Sequence, residues 1–436
     1  MKSVCVIGLG YIGLPTASLF ANAGFKVKGV DAKEHVVEMV NSGRNHIQEV
    51  GLRTMVEAAI SSGQLSASLE PACSDAFIIA VPTPFGPNKE PDLSHVFAAA
   101  RKIIPLLEVG NLVVVESTVP PGTTEKVAEV IAAERPDLVA DPARPVASLQ
   151  VHVAHCPERV LPGRILKELV ENDRVIGGLN AESTECAVDL YKRIVSGTIY
   201  STDATTAEMV KLSENTFRDV NISLVNELAI ICEKLGISVW EVIELANKHP
   251  RVKMLTPGPG VGGHCIAVDP WFIVSEFPED SNLIKAARLR NDAMPALVVE
   301  RVKKLVAGIA SPVIACLGAS YKGNVGDARN SPAIEIYEKL LALYGEKGEV
   351  RINDMYVDEK DLPLVSLREV IEKADLVLVL VDHFEYRALD PLEIAKKVRR
   401  KVVFDTRNTL NHERWRAAGF AVHVLGSGVR ATAPKG

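Results

Sequence analysis
Short apolar runs at residues 4–7, 27–30, 76–81, 112–116, 151–154 and 175–176 punctuate the first half of the chain, and turn or loop residues close each one. Runs with so little polar alternation read as strands buried on both faces. Helical spacing fills the intervals, as in residues 15–23 and 93–107, and the alternation predicts a mostly parallel sheet with helices on both sides. From Asp203 to Leu235 the pattern becomes that of one long helix, with Asp203 or Thr205 as its cap and Gly236 as its stop. On that helix Lys211, Asn215 and Arg218 share a face, which pattern alone makes a solvated one. Further along, Leu224, Leu228, Ile231 and Leu235 form an apolar stripe suited to a core or a dimer contact. A third section opens near Ser311, with strands at 313–317, 376–381 and 402–404, and reads as a second, smaller α/β domain. Residues 426–436 are expected to form a poorly ordered tail.

The first run leads directly into Gly8-Leu-Gly10-Tyr11-Ile12-Gly13, then a helix, a second run and Asp31. In that context the first glycine permits a tight turn, the second lets backbone approach a pyrophosphate, and the third lets helix pack closely on strand. The helix N-terminus attracts phosphate charge. Asp31 ends the second strand, where a carboxylate accepts hydrogen bonds from ribose hydroxyls and repels a 2′-phosphate, so NAD is expected rather than NADP. Thr83 and Thr118 follow two later strands at the sheet edge where ligands bind; the other role open to their hydroxyls is capping the next helix.

At 436 residues the chain exceeds one ordinary core, which implies two or three domains. Hydrophobic residues at 47% and charged residues at 24% give a globular composition. A net charge of −6 offers nucleic acid or an anionic membrane no attraction, so local basic groups must gather any phosphate-bearing ligand. Seven cysteines without a Cys-x-x-Cys pair argue against a disulfide framework and for a reducing compartment. No apolar segment reaches the roughly 18 residues a bilayer span needs, and a cytoplasmic location is expected. His155-Cys156 and His264-Cys265 lack the second pair a structural zinc site requires, so no metal is expected.

The stretch Gly258-Pro-Gly-Val-Gly-Gly-His-Cys-Ile-Ala-Val-Asp269 sets Cys265 in a glycine-rich loop between His264 and Asp269. Glycines at 258, 260, 262 and 263 admit positive φ and the close approach of a ligand, which a buried structural cysteine does not require. By itself the loop suits either reading, because cysteine is often buried. A dinucleotide fingerprint in the same chain favours a nucleophile.

Taken together the motifs resemble the nucleotide-sugar 6-dehydrogenases, the family that includes UDP-glucose dehydrogenase, from Gly8 to Asp405. The sharpest matches are Cys156-Pro-Glu158-Arg159-Val160-Leu-Pro-Gly163, Glu208-Met-Val-Lys211-Leu-Ser-Glu-Asn215-Thr-Phe-Arg218, His249-Pro-Arg251, and the Cys265 loop running into Pro270-Trp-Phe272. The resemblance implies two Rossmann-like doubly wound α/β domains joined by a central helical domain. These are an NAD-binding domain at 1–195, a central dimerisation and catalytic domain at 196–305, and a UDP-sugar-binding domain at 306–436. It also implies oxidation of a primary alcohol at C6 to a carboxylate in two hydride transfers, with Cys265 forming a thiohemiacetal and then a thioester. His264 and Val268 resemble the branch acting on 2-acetamido sugars, while Ala267 and His249-Pro-Arg251 favour UDP-N-acetyl-D-mannosamine over its gluco epimer.

The same resemblance assigns roles. Lys211 assists proton removal or stabilises oxyanion charge, Asn215 donates to the same oxygen, and Glu158, with Thr118 and Asp269, positions water for hydrolysis. The alternative for Glu158 is a salt bridge to Arg159 or Arg164. NAD would contact Gly8, Gly10, Tyr11, Ile12, Gly13, Asp31, Thr83, Thr118 and Arg329. The nucleotide sugar would contact Arg159, Val160, Lys211, Asn215, Arg218, Gly262, Tyr321 and Lys322, with His249 and Arg251 supplied by the neighbouring subunit of a homodimer. Gly323, Gly326 and Asn330 depart from a family pattern that often has proline at the first and acids near the other two. A one-step alcohol dehydrogenase or a non-catalytic NAD sensor would have no use for Cys265.

Overall fold
A computed structural model describes residues 1–47, 49–86, 89–161, 163–358 and 362–428. The chain divides into two units, Met1–Glu214 and Asn215–Gly436. The first is built on β1 (Ser3–Ile7), β2 (Lys26–Val30), β3 (Leu65–Ser68), β4 (Ala76–Ile79), β5 (Leu112–Val115), β6 (His152–His155), β7 (Arg174–Gly178) and β8 (Ile199–Asp203). They lie in the order β3-β2-β1-β4-β5-β6-β7-β8. Every neighbouring pair is parallel except β6 with β7. In β1, Val4 and Val6 enter the core on one face while Cys5 and Ile7 enter the core on the other, which is why the run carries no polar alternation. Strand order reverses between β1 and β4, so a crevice opens beyond their carboxyl ends, and there the Gly8 loop and the Thr83 segment emerge.

The second unit carries β9 (Val313–Leu317), β10 (Glu349–Asn353), β11 (Leu376–Val379), β12 (Val402–Asp405) and β13 (Ala421–Val424), all parallel and ordered β10-β9-β11-β12-β13. It is also covered on both faces: Ile314 and Cys316 pack on one side of β9, Ala315 and Leu317 on the other. Its switch point lies between β9 and β11.

One long helix, Ala204–Leu235, begins in the first unit and continues into the second. Asp203 caps it, its carboxylate accepting from the backbone N–H of Thr206 at 2.8 Å and from the Thr206 hydroxyl at 2.6 Å. Gly236, at φ 71°, ends it in a Schellman arrangement, with Ile237 N–H donating to the Cys232 carbonyl at 3.0 Å. The solvated-face expectation holds for Arg218 only, since Lys211 and Asn215 are buried. The apolar stripe takes the outward direction, with Leu224, Ile231 and Leu235 exposed and Leu228 half-buried. Part of the expected tail is ordered: Gly426 N–H donates to Glu233 at 2.9 Å and Gly428 N–H to the Ile237 carbonyl at 3.0 Å. The rest of that segment lies outside the described residues. Among the described residues no helix is long and apolar enough to cross a membrane.

Candidate active site
In the first unit the chain leaves β1 into Gly8, which takes φ 96°. A Cβ on Gly13 would stand 1.8 Å from the Gly8 carbonyl oxygen, so only glycine lets the following helix, Gly13–Asn22, start against the turn. A Cβ on Gly10 would meet nothing within 4 Å, leaving open backbone at the helix entrance. Asp31 is held at the end of β2 by the N–H groups of Leu9 (3.1 Å) and Lys33 (2.9 Å). Bare backbone ahead of a helix N-terminus, and an acid fixed one strand away, fit a dinucleotide's pyrophosphate and ribose. Tyr11 is exposed and Ile12 half-buried on the same turn.

Thr83 caps no helix. Its hydroxyl donates to the Thr118 carbonyl at 2.7 Å and ties the segments after β4 and β5 together. Nor does Thr118 cap the helix Thr123–Glu134, because buried Glu208 does so, accepting from the N–H groups of Gly122 (2.6 Å) and Thr124 (2.7 Å) and from the Thr124 hydroxyl (2.6 Å). Sequence reasoning gave Glu208 no role, although it opens the motif that contains Lys211.

Glu158 pairs with neither arginine beside it. Its carboxylate lies 3.8 Å from Lys211 Nζ, with both side chains largely buried, and it accepts the Val160 N–H. Arg159 turns instead to Glu214 (Nε to Oε2, 3.1 Å) and to the Asp173 carbonyl (3.1 Å), and Arg164 to Glu168 (3.6 Å). Beneath this loop lies a group that the sequence did not reveal. Glu116 is fully buried, 3.7 Å from Arg174, and accepts from Thr16 and Tyr191, each at 3.3 Å. Burial pushes its carboxyl up to about 7 against the pull of Arg174. Burial also pushes the Cys156 thiol up to about 12 and its neighbour His155 down to about 3, so this Cys-His pair is an inert thiol beside a neutral imidazole.

In the second unit the Cys265 loop feeds the helix Asp269–Glu276, and the Cys265 carbonyl accepts from the N–H groups of Val268 (2.9 Å) and Asp269 (2.8 Å). Cys265 is half-buried and Asp269 buried, and Asn215 donates to Asp269 Oδ2 at 2.5 Å. Gly260 and Gly263 take the positive φ expected of them, at 146° and 85°, and Gly262 is needed for close packing as well. A Cβ on Gly262 would meet the Asn330 carbonyl oxygen at 2.5 Å and Tyr321 Cβ at 2.8 Å, so this backbone packs on the loop that follows β9. Gly263, at φ 85°, donates to the Arg329 carbonyl at 3.1 Å. Thus Gly262, Tyr321 and the Cys265 loop come together. Arg329 engages Asp327 through Nε (2.9 Å) and Nη2 (2.5 Å). Lys322, Arg218, His249 and Arg251 are exposed, and Val160 is half-buried.

Three models of the UDP-glucose/GDP-mannose dehydrogenase family match the chain: the NAD binding domain at residues 2–195, the central domain at 205–293 and the UDP binding domain at 315–412. A UDP-N-acetyl-D-mannosamine dehydrogenase of Methanocaldococcus jannaschii is 50% identical over 436 residues, covering 99% of this chain and 98% of that protein. An NDP-N-acetyl-D-galactosaminuronic acid dehydrogenase of Ralstonia nicotianae is 49% identical, covering 95% and 97%. Among solved structures, the UDP-D-ManNAc dehydrogenase from Pyrococcus horikoshii superposes with a TM-score of 0.89 at 41% identity, covering 98% of this chain and 99% of that one.

Proposed function
The chain belongs to the UDP-glucose/GDP-mannose dehydrogenase family of NAD-dependent nucleotide-sugar dehydrogenases, and from that premise we propose that it oxidises C6 of UDP-N-acetyl-D-mannosamine to the uronate in a four-electron reaction. The observation that carries the chemical reading is the buried approach of Lys211 Nζ to Glu158, one helical turn before Asn215, itself bonded to Asp269. The Gly8–Gly13 turn and Asp31 would hold NAD, a fresh molecule for each of the two successive oxidations, and when bound it would supply the hydride acceptor for C6. Lys211 assists loss of the alcohol proton or steadies the oxygen that loses it, and Asn215 donates to that oxygen. Cys265 Sγ then adds to the C6 aldehyde, which gives a carbon that again bears both a hydrogen and a hydroxyl. The second oxidation leaves a thioester. Water positioned by Glu158, with Thr118 and Asp269, breaks the C–S bond, returning the thiol and releasing the carboxylate with its proton.

We assign the domains to 1–195, 196–305 and 306–436. Thr83 and Arg329 are assigned to NAD, and Arg159, Val160, Arg218, Gly262, Tyr321 and Lys322 to the nucleotide sugar. The outward row of Phe217, Leu224, Ile231 and Leu235 supports a homodimer in which His249 and Arg251 serve the partner's substrate. A cytoplasmic location accords with the cysteine content. The relative from Ralstonia makes the sugar the point to test, so limiting UDP-N-acetyl-D-mannosamine and its gluco and galacto counterparts are each incubated with excess NAD and the NADH counted. Two NADH per manno sugar, abolished in Cys265→Ala, is the expected result. One per sugar overturns the covalent route, and a preference for another epimer overturns the substrate.

A further inference from the structure
Tyr321 and Lys322 sit in the segment that leaves β9, Gly318-Ala-Ser-Tyr-Lys-Gly-Asn-Val-Gly-Asp327, which has no helix or strand of its own. Two buried groups hold it. Asp354, just past β10, accepts the N–H groups of Ala319 (2.8 Å) and Ser320 (3.0 Å) on one oxygen and those of Tyr356 (2.8 Å) and Val357 (3.2 Å) on the other. His383, past the end of β11 and fully buried, brings Nε2 to 2.9 Å from Asp354 and 3.3 Å from Ser320 Oγ. Its Nδ1 accepts the backbone N–H of Asn324 at 2.8 Å. The ring stacks on Tyr356, centroids 4.8 Å apart, with Tyr386 edge-on at 5.2 Å.

These bonds settle the tautomer. A nitrogen that accepts an amide N–H carries no proton, so the proton is on Nε2 and points to Asp354. Both Asp354 and Ser320 meet that same nitrogen, whereas a hydrolytic triad places serine and carboxylate on opposite ring nitrogens. The cluster is therefore a support rather than a second catalytic centre. The loop is fastened on either side of its two ligand candidates. Before them, the Ser320 hydroxyl donates to the Lys322 carbonyl at 2.9 Å; after them, Asn324 takes φ 62° and accepts the Phe384 N–H on its side chain at 2.9 Å. A Cβ on Gly323 would stand 2.8 Å from the Asp382 carbonyl oxygen, so the backbone lies directly on the residue preceding His383.

We propose that His383 is a positioning residue for nucleotide-sugar binding, setting through Asn324 and Ser320 the backbone that presents Tyr321 and Lys322. The inference rests on the assignment of those two residues to the nucleotide sugar. Asparagine places an amide oxygen near the Nδ1 position and glutamine an amide nitrogen near the Nε2 position, so the two substitutions separate the bond to Asn324 from the bond to Asp354. The test is calorimetric titration of the full-length enzyme with UDP, alongside the KM for NAD. His383→Gln is expected to weaken UDP about tenfold with the NAD KM unchanged, and His383→Asn to restore it to within about threefold of wild type. Asn324→Gly, which tolerates the positive φ and spares the buried ring, is expected to weaken UDP about threefold and covers the case in which the His383 variants do not fold. Lys322→Ala serves as the reference. If it binds UDP as wild type does, the loop assignment fails; if it weakens UDP while His383→Gln and Asn324→Gly do not, the positioning role fails. Equal losses of UDP and NAD affinity in His383→Gln also overturn the role.

Discussion
Glu158 shows how one contact changes what a residue can be asked to do. Beside an arginine it would be a surface ion pair worth little. Buried 3.8 Å from Lys211, it is instead a carboxylate that shares its surroundings with a buried amine. If Glu158 positions the hydrolytic water, Glu158→Gln leaves both oxidations intact and slows thioester breakdown. Stopped-flow mixing with excess sugar and NAD is then expected to give a burst of two NADH per site followed by turnover roughly 10²- to 10⁴-fold below wild type. A slow rate without a burst would move Glu158 to the first oxidation. If Lys211 serves the first oxidation, Lys211→Met should show the opposite, no burst at all, because no aldehyde would form for Cys265 to meet.

At the scale of elements, the contact made by Glu208 is the least visible in the chain. The sequence left the Thr118 hydroxyl open as a local cap for the next helix; in fact the cap is a carboxylate 86 positions beyond Gly122, at the start of the long helix. Glu208→Ala leaves the N–H groups of Gly122 and Thr124 without their acceptor in a buried place and is expected to cost about 2–3 kcal/mol, read as a lowered denaturation midpoint. Thr124→Ala, which removes only one donor to a carboxylate that keeps two others, should cost about 1 kcal/mol. The same contrast between local and distant information decides which elements were legible. β1, β4, β5, β9 and β11 are enclosed on both faces and announce themselves as apolar runs. The edge strand β3, Leu-Ser-Ala-Ser, and β8, Ile-Tyr-Ser-Thr-Asp, are half polar, and Glu-Val-Arg-Ile-Asn of β10 alternates, so none of them stood out from loop. The dinucleotide turn and the Cys265 loop were legible because glycine is demanded by backbone. Two buried clusters, Glu116 with Arg174 and, beneath the loop after β9, Asp354 with His383, were not, since single charged residues gain meaning only when strands bring them together.

Those two clusters make the units respond to pH in opposite directions. In the first, burial raises Glu116 from an ordinary 4.5 to about 7, so the folded state holds a proton that the unfolded chain has already lost. Its contribution to stability is fully present below about 4.5 and is lost as pH rises through about 7, roughly 3 kcal/mol in all. In the second, burial raises Asp354 too, but the bonds from His383 and from the Ala319 and Tyr356 amides outweigh it and hold the carboxyl at about 2. That contribution is present above the unfolded value of 3.8 and is lost as pH falls from there toward 2, roughly 2 kcal/mol. The three tryptophans, Trp240, Trp271 and Trp415, all belong to the second unit, so their fluorescence follows it alone while circular dichroism follows both. Against wild type, Glu116→Gln should gain stability by circular dichroism between pH 4.5 and 7 and level off above. Asp354→Asn should lose stability at pH 7 by tryptophan fluorescence, a deficit that narrows as the pH falls from 4 to 2. A Glu116→Gln variant whose difference from wild type stays constant from pH 4.5 to 7 would mean that Glu116 is ionised throughout that range, and that its ion pair with Arg174 outweighs burial.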